Sequence, residues 1–239
     1  MASTVESTVV LIPPPSGQAE RSAATQRRLI DATIATLCEA GYARTTTVAV
    51  ATRAGVSRGA MLHHFPTRAE LIVATAYDIL ATQDEHRREV LRSLPRGKVR
   101  FYAITDAMWA TMQEPASMAL IEIMLGGRSD PELSTRLPAI MREFNAKLLS
   151  CPMDVARELG IDDTPLLNAM SRLHLAAMRG MMIERLYWAD PEQSSSEAFE
   201  LLDWYKRLLM RRLDDPDFID EAPVFDRPLR PLDKRNNQR

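Results

Sequence analysis

Cysteine is scarce in this 239-residue chain, which carries only Cys38 and Cys151. A disulfide-stapled secreted scaffold is thereby excluded, and two thiols so far apart form no metal-ligand spacing. Glycine is sparse too, nine in all, and no Gly-rich phosphate loop occurs. No stretch approaches the roughly 18 consecutive apolar residues that span a bilayer. Val9-Val10-Leu11-Ile12 is too short for a secretory core and runs into Pro13-Pro14-Pro15. A cytoplasmic protein without a membrane span is the expectation. Nucleophile elbow, acid/base pair and metal-ligating cluster are all missing, so no enzyme activity, cofactor or metal is expected. Nor does hydropathy alternate with period two for long enough to make a sheet.

The composition is that of a folded protein, 46% hydrophobic and 26% charged. The net charge of −2 hides an asymmetry. From residue 21 to residue 68 there are seven arginines (Arg21, Arg27, Arg28, Arg44, Arg53, Arg58 and Arg68) against Asp31 and Glu39. One basic end on an acidic remainder suggests that only this end meets a polyanion.

Helix signals dominate. Residues 1–20 read as a flexible tail rich in Ser, Thr and Pro. Leu29, Ile30, Thr33, Ile34 and Leu37 recur at helical intervals over residues 25–40, and Gly41 supplies a stop. Two short helices fit 46–54, ended by Gly55, and 57–65. Thr67-Arg68-Ala69-Glu70 is a capping box opening a helix to about Leu94. Further helices fit 98–113 and 116–125. Asp130-Pro131-Glu132 has the cap, first-turn proline and acid of another helix start, and Pro138 is expected to kink that helix. The last two helices fit 164–188 and 194–213, the latter from a second capping box, Ser194 to Glu197. Residues 214–239 read as an extended tail. The fold class is all-α, divided into a helix-turn-helix domain (21–70) and a larger helical domain (71–213).

The stretch Gly41-Tyr42 to Phe65 has the physics of a helix-turn-helix. Val50 and Ala51 face inward, Gly55 turns the chain, Val56 plugs the turn and Ser57 caps the next helix. Gly59 and Ala60 keep that helix start slim enough to approach base edges. With Thr46-Thr47, Ala54-Gly55-Val56-Ser57 and Phe65-Pro66-Thr67-Arg68-Ala69-Glu70-Leu71 in register, residues 25–71 resemble the tetracycline-repressor (TetR) family. The resemblance implies a DNA-binding transcriptional regulator. It assigns Thr46 to a phosphate at a helix N-terminus, Ser57, Arg58, Gly59, Ala60 and His63 to the groove face, and Arg68 to a phosphate at the fourth helix. Arg58 is the candidate for bidentate contact to guanine. One departure stands out: Leu62 replaces the family's phosphate-binding tyrosine. Either His63 or His64 compensates, or Leu62 packs on a thymine methyl.

Ten of thirteen methionines fall between Met108 and Met182. They line either a pocket for an apolar small-molecule effector or a methionine-rich core. The resemblance implies a pocket among the middle helices, with Trp109, Met112, Met124, Phe144 and Met178 as wall candidates. His174 is either a handle for a polar ligand group or a satisfied packing residue. The last two helices carry broad apolar faces (Leu166, Met170, Leu173, Ala177, Met181; Leu201, Trp204, Tyr205, Leu208), and Gly180 permits a close crossing. By resemblance they pair two copies into a homodimer that meets a pseudo-palindromic operator and is released from it by ligand. The competing reading is a helical small-molecule-binding protein whose helix-turn-helix no longer binds DNA.

Overall fold

In the computed structural model, which describes residues 17–161, 164–187 and 191–214, every regular element is a helix. They are α1 (Gly17–Arg44), α2 (Thr47–Ala54), α3 (Arg58–His64), α4 (Arg68–Ser93), α5 (Lys98–Met112), α6 (Pro115–Gly126), α7 (Pro131–Glu158), α8 (Thr164–Glu184) and α9 (Pro191–Asp214). The proline-rich residues 1–16, Trp188 and the tail expected after residue 214 lie outside the described residues.

Helix starts follow from capping chemistry. Thr46 and Ser57 each accept a hydrogen bond from the N–H three residues on, Ala49 and Ala60, at 3.1 Å. The capping box at α4 is reciprocal: Glu70 N–H donates to Thr67 Oγ1 at 3.1 Å, and Thr67 N–H donates to Glu70 Oε2 at 3.3 Å. Asp130 caps α7 through the N–H groups of Glu132 and Leu133.

Boundaries differ from expectation in places, among them the end of α8, at Glu184 rather than 188. α1 begins at Gly17, inside the stretch read as a tail, because its first two turns are solvent-exposed and carry no apolar period to reveal them. α7 runs on through Pro138. α9 begins at Pro191, three residues before the expected cap at Ser194. Gly41 does interrupt α1, with φ 76° and ψ 174°.

The chain divides into two compact units, residues through Gln83 with Glu114–Phe144, and Asp84–Gln113 with the residues from Asn145 onward. α4 and α7 contribute to both. In the first unit one apolar cluster joins α1 to α4 through Leu29, Val50, Met61, Phe65 and Leu71. Another joins α1, α4, α6 and α7 through Leu37, Ile72, Ile79, Ile123 and Leu133. In the second unit Leu91, Phe101, Ile104, Val155 and Leu167 form the main cluster, beside Met108, Leu175, Met178 and Leu202. Each large side chain buried this way contributes about 1.5–3 kcal/mol of hydrophobic stabilisation.

Candidate nucleic-acid interface and ligand cavity

The helix-turn-helix is closed from inside. Val50 and Ala51 are buried, Gly55 sits in the left-handed region at φ 62°, and Val56 N–H reaches back to Ala51 O at 3.0 Å. These contacts fix the angle between α2 and α3. Their outer faces remain open: Thr46, Ser57, Arg58, Gly59, Leu62 and His63 are exposed, and Ala60 is partly so. Leu62 is 39% exposed. His63 stands edge-on to the partly buried His64, with ring centroids 5.6 Å apart. Thr46 Oγ1 caps α2, and the N–H groups of Thr47 and Val48, first in the helix, have no acceptor within it.

The arginines of this end divide by use. Arg27 is held by Asp31 and Asp78, and Arg53 by Glu39. Arg68, placed by resemblance on a phosphate, is occupied indoors. Its guanidinium donates to Tyr42 O at 2.6 Å, Thr45 O at 2.7 Å and the Tyr42 hydroxyl at 2.8 Å, and meets Asp130 at 3.4 Å. It also lies over the Tyr42 ring, 4.1 Å from the centroid. Arg44 and Arg58 are exposed, and their side chains have no ion-pair or hydrogen-bond partner among the described residues. Arg44 escaped sequence reasoning, although a basic residue just before the α2 cap is a recognisable phosphate ligand.

Tyr42 is the bolt behind this surface. The reversal at Gly41 lets Tyr42 N–H donate to Glu122 Oε2 on α6 at 2.9 Å, and its hydroxyl donates to Asp130 Oδ2 at 2.7 Å. Burial and the Asp130 carboxylate push the phenol up to about 12, and that hydroxyl bond holds Asp130 below the usual carboxylate range. The ring lies against Gly126: a Cβ there would come within 2.2 Å of it. Only glycine fits.

The second unit contains a cavity of about 20 Å³ between α5, α7, α8 and α9. Phe101, Ile104, Met108, Leu148, Pro152 and Met170 supply its apolar walls; Thr105, Ser171, His174 and Lys206 supply its polar ones. None of the five wall residues expected by resemblance lines it; His174, weighed as a ligand handle or a satisfied packing residue, does. Its ring nitrogens lie 2.9 Å from Met170 O and 3.2 Å from Leu202 O, and burial lowers its pKa. Trp109, Met112 and Met178 pack in the adjoining cluster of the same unit. Met124 and Phe144 belong to the first unit, where Met124 packs on the α1/α6 core and Phe144 stands edge-on to Tyr77. Lys206 was not foreseen. Its position four residues after Leu202, on the buried stripe of α9, was the available signal.

Comparisons with known proteins agree with this architecture. Residues 29–75 match the family described as "Bacterial regulatory proteins, tetR family". The chain is 32% identical over 142 residues to the uncharacterized HTH-type transcriptional regulator Rv2912c of Mycobacterium tuberculosis, covering 59% of this chain and 71% of that one. It is 31% identical over 179 residues to the HTH-type transcriptional regulator CymR of Pseudomonas putida, covering 74% and 86%. Among solved structures, a transcriptional regulator from Rhodococcus sp. RHA1 superposes with a TM-score of 0.62 at 19% identity, over 78% of this chain and 96% of that one. FadR of Bacillus subtilis in complex with stearoyl-CoA does so with a TM-score of 0.56 at 15% identity, over 74% and 96%. No helix among the described residues is long and apolar enough to cross a membrane. With its all-helical fold, its capped helix-turn-helix and relatives of this extent, the chain belongs to the TetR family of HTH-type transcriptional regulators.

Proposed function

We propose that this regulator is a homodimeric repressor that binds a pseudo-palindromic operator and is released by a small, largely apolar effector. The observation that carries the DNA-binding part is the contrast among the arginines. Arg27, Arg53 and Arg68 are consumed by internal partners, whereas Arg58 stands without one on the outer face of α3. It is accompanied there by exposed Ser57, Gly59, Leu62 and His63. A guanidinium held out on a short helix between small residues suits the O6/N7 edge of guanine. Leu62 suits a thymine methyl, and Thr46 with Arg44 suits the flanking phosphates. Arg68 then acts one step back, holding the loop that carries Thr45 and Thr46.

Dimerisation is supported by apolar surface around α8 and α9. Leu173, Ile183, Leu186, Tyr187 and Leu201 are all exposed, Tyr187 by 83%. A Cβ added to Gly180 would meet nothing within 4 Å, so the glycine is not required by the chain's own packing and leaves room for a second helix. A two-fold pair would present its α3 helices to half-sites about 34–36 Å apart. Ligand release follows if the effector favours a state whose half-site separation no longer fits, and its differential affinity limits the shift.

The test is capture of genomic DNA fragments by the purified chain at moderate salt, followed by sequencing. An enriched inverted repeat, lost with Arg58→Ala, is the expected result. Retention that is salt-sensitive but independent of sequence would overturn the repressor reading in favour of a ligand-binding protein with a silent helix-turn-helix.

A further inference from the structure

Lys206, on α9, is only 2% exposed, yet no carboxylate among the described residues pairs with it. Its ammonium donates to Tyr102 O at 2.8 Å and to Thr105 Oγ1 at 2.9 Å, and lies 4.9 Å from the Phe101 ring centroid. All three neighbours are neutral. Asp203, held by Arg207 at 2.6 Å, and Asp106 on α5 both favour the charge on Lys206 through space, without a direct hydrogen bond to it. A buried charge with no carboxylate in direct ion-pair contact is costly.

The same cavity holds a hydroxyl. Ser171 on α8 is buried, and its hydroxyl has no hydrogen-bond partner among the described residues. His174, by contrast, has a backbone carbonyl beside each ring nitrogen, and its single N–H, when burial keeps the ring neutral, is taken by one of them. α7 contributes only Leu148 and Pro152 here. The cavity, about 20 Å³, has room for a carboxylate or a water rather than a whole effector. Its methionines are side chains that rearrange readily around a guest.

We propose that this cavity is the head-group site of an acidic effector: a monocarboxylic acid with an apolar tail, its carboxylate taken by Lys206 and Ser171 while the tail parts the apolar walls. The assignment rests on the reading of this chain as effector-responsive. One cation with a neutral hydroxyl matches a single negative charge; a phosphoryl group, carrying up to two charges, would meet too little positive charge. A neutral ligand would leave the ammonium as it is.

The test is calorimetric titration of the full chain, without DNA, with octanoate and 3-phenylpropanoate and with the corresponding amides. Each acid is expected to bind at least tenfold more tightly than its amide, with the margin abolished in Lys206→Met and reduced in Ser171→Ala. Equal binding of acid and amide, or no saturable binding of either acid, overturns the proposal. Should Lys206→Met fail to fold, the wild-type pH profile decides. Lys206 titrates near 7 in the empty chain, so acid affinity should fall about tenfold per pH unit above that point while amide affinity stays flat; a flat acid profile overturns it. Acid binding that leaves operator affinity unchanged would instead overturn the effector-released repressor and keep the site.

Discussion

In the first unit Arg68 donates to four oxygens, lies on an aromatic face and faces a carboxylate, and Tyr42 behind it uses both its N–H and its hydroxyl. In the second unit Lys206 is buried and hydrogen-bonded to neutral groups only, Ser171 lacks a partner among the described residues, and the Nε atoms of Arg87 and Arg100 are buried without acceptors. A surface that must meet DNA at fixed spacing needs the rigidity of satisfied bonds. A region that takes in the proposed guest would gain from groups whose needs the guest meets. The difference between the units is therefore a difference in where hydrogen-bonding capacity has been left open.

The largest expected effect comes from breaking the satisfied side. In Gly126→Ala the added methyl would overlap the Tyr42 ring, forcing its hydroxyl away from Asp130 and Arg68 together. Overpacking at such a site costs about 3 kcal/mol. Urea denaturation should show a lower midpoint, and operator affinity should fall as the α1–α2 connection loosens. Full stability in this variant would mean that the bolt is not closed in solution.

Second in size is a change that should stabilise. Replacing a buried, unpaired ammonium by an apolar side chain of similar length, Lys206→Met, is expected to raise stability by about 2 kcal/mol at pH 6. Lys206 titrates near 7 when folded, against 10.5 ordinarily. Below pH 7 both states are protonated and the full cost is present; between about 7 and 10.5 the unfolded chain holds more protons, so wild-type stability should rise with pH. The variant should lack that rise, and its advantage should shrink as pH increases. Thermal melts of the two chains from pH 6 to 9 check both statements. Melting curves that move in parallel would show Lys206 to be satisfied after all, and the two units to be alike.

These two sites also mark what a sequence can and cannot tell. The caps at Thr46, Ser57 and Thr67/Glu70 and the turn at Gly55 are local: each residue acts on a backbone group within four positions, so one strand of text contains the whole interaction. The helix-turn-helix and its outward residues were legible for that reason. Tyr42 on Gly126 spans 84 positions and Lys206 on Tyr102 spans 104, and neither pairing leaves a periodic trace. The partners of Arg68 were hidden for a related reason. Its position by resemblance suggested a phosphate, while its actual partners, Tyr42 and Asp130, lie 26 and 62 residues away. The exposed start of α1 left no apolar pattern at all.

The smallest effect separates folding from recognition at one atom. Gly59 lies in the first turn of α3, has no strained φ, and a Cβ built there meets nothing within 4 Å. The chain's own structure gives no reason for glycine, which is a poor helix former. Gly59→Ala should therefore leave the protein folded and more stable by up to about 1 kcal/mol. If α3 approaches base edges as closely as its slim start allows, the same methyl should weaken operator binding, with Arg58 still in place to be tested beside it. Equilibrium unfolding and operator titration on one preparation give both numbers. Stability up with affinity down ties the glycine to the DNA; both up together would mean that the groove lies further from Gly59 and that Arg58 reaches across the gap alone.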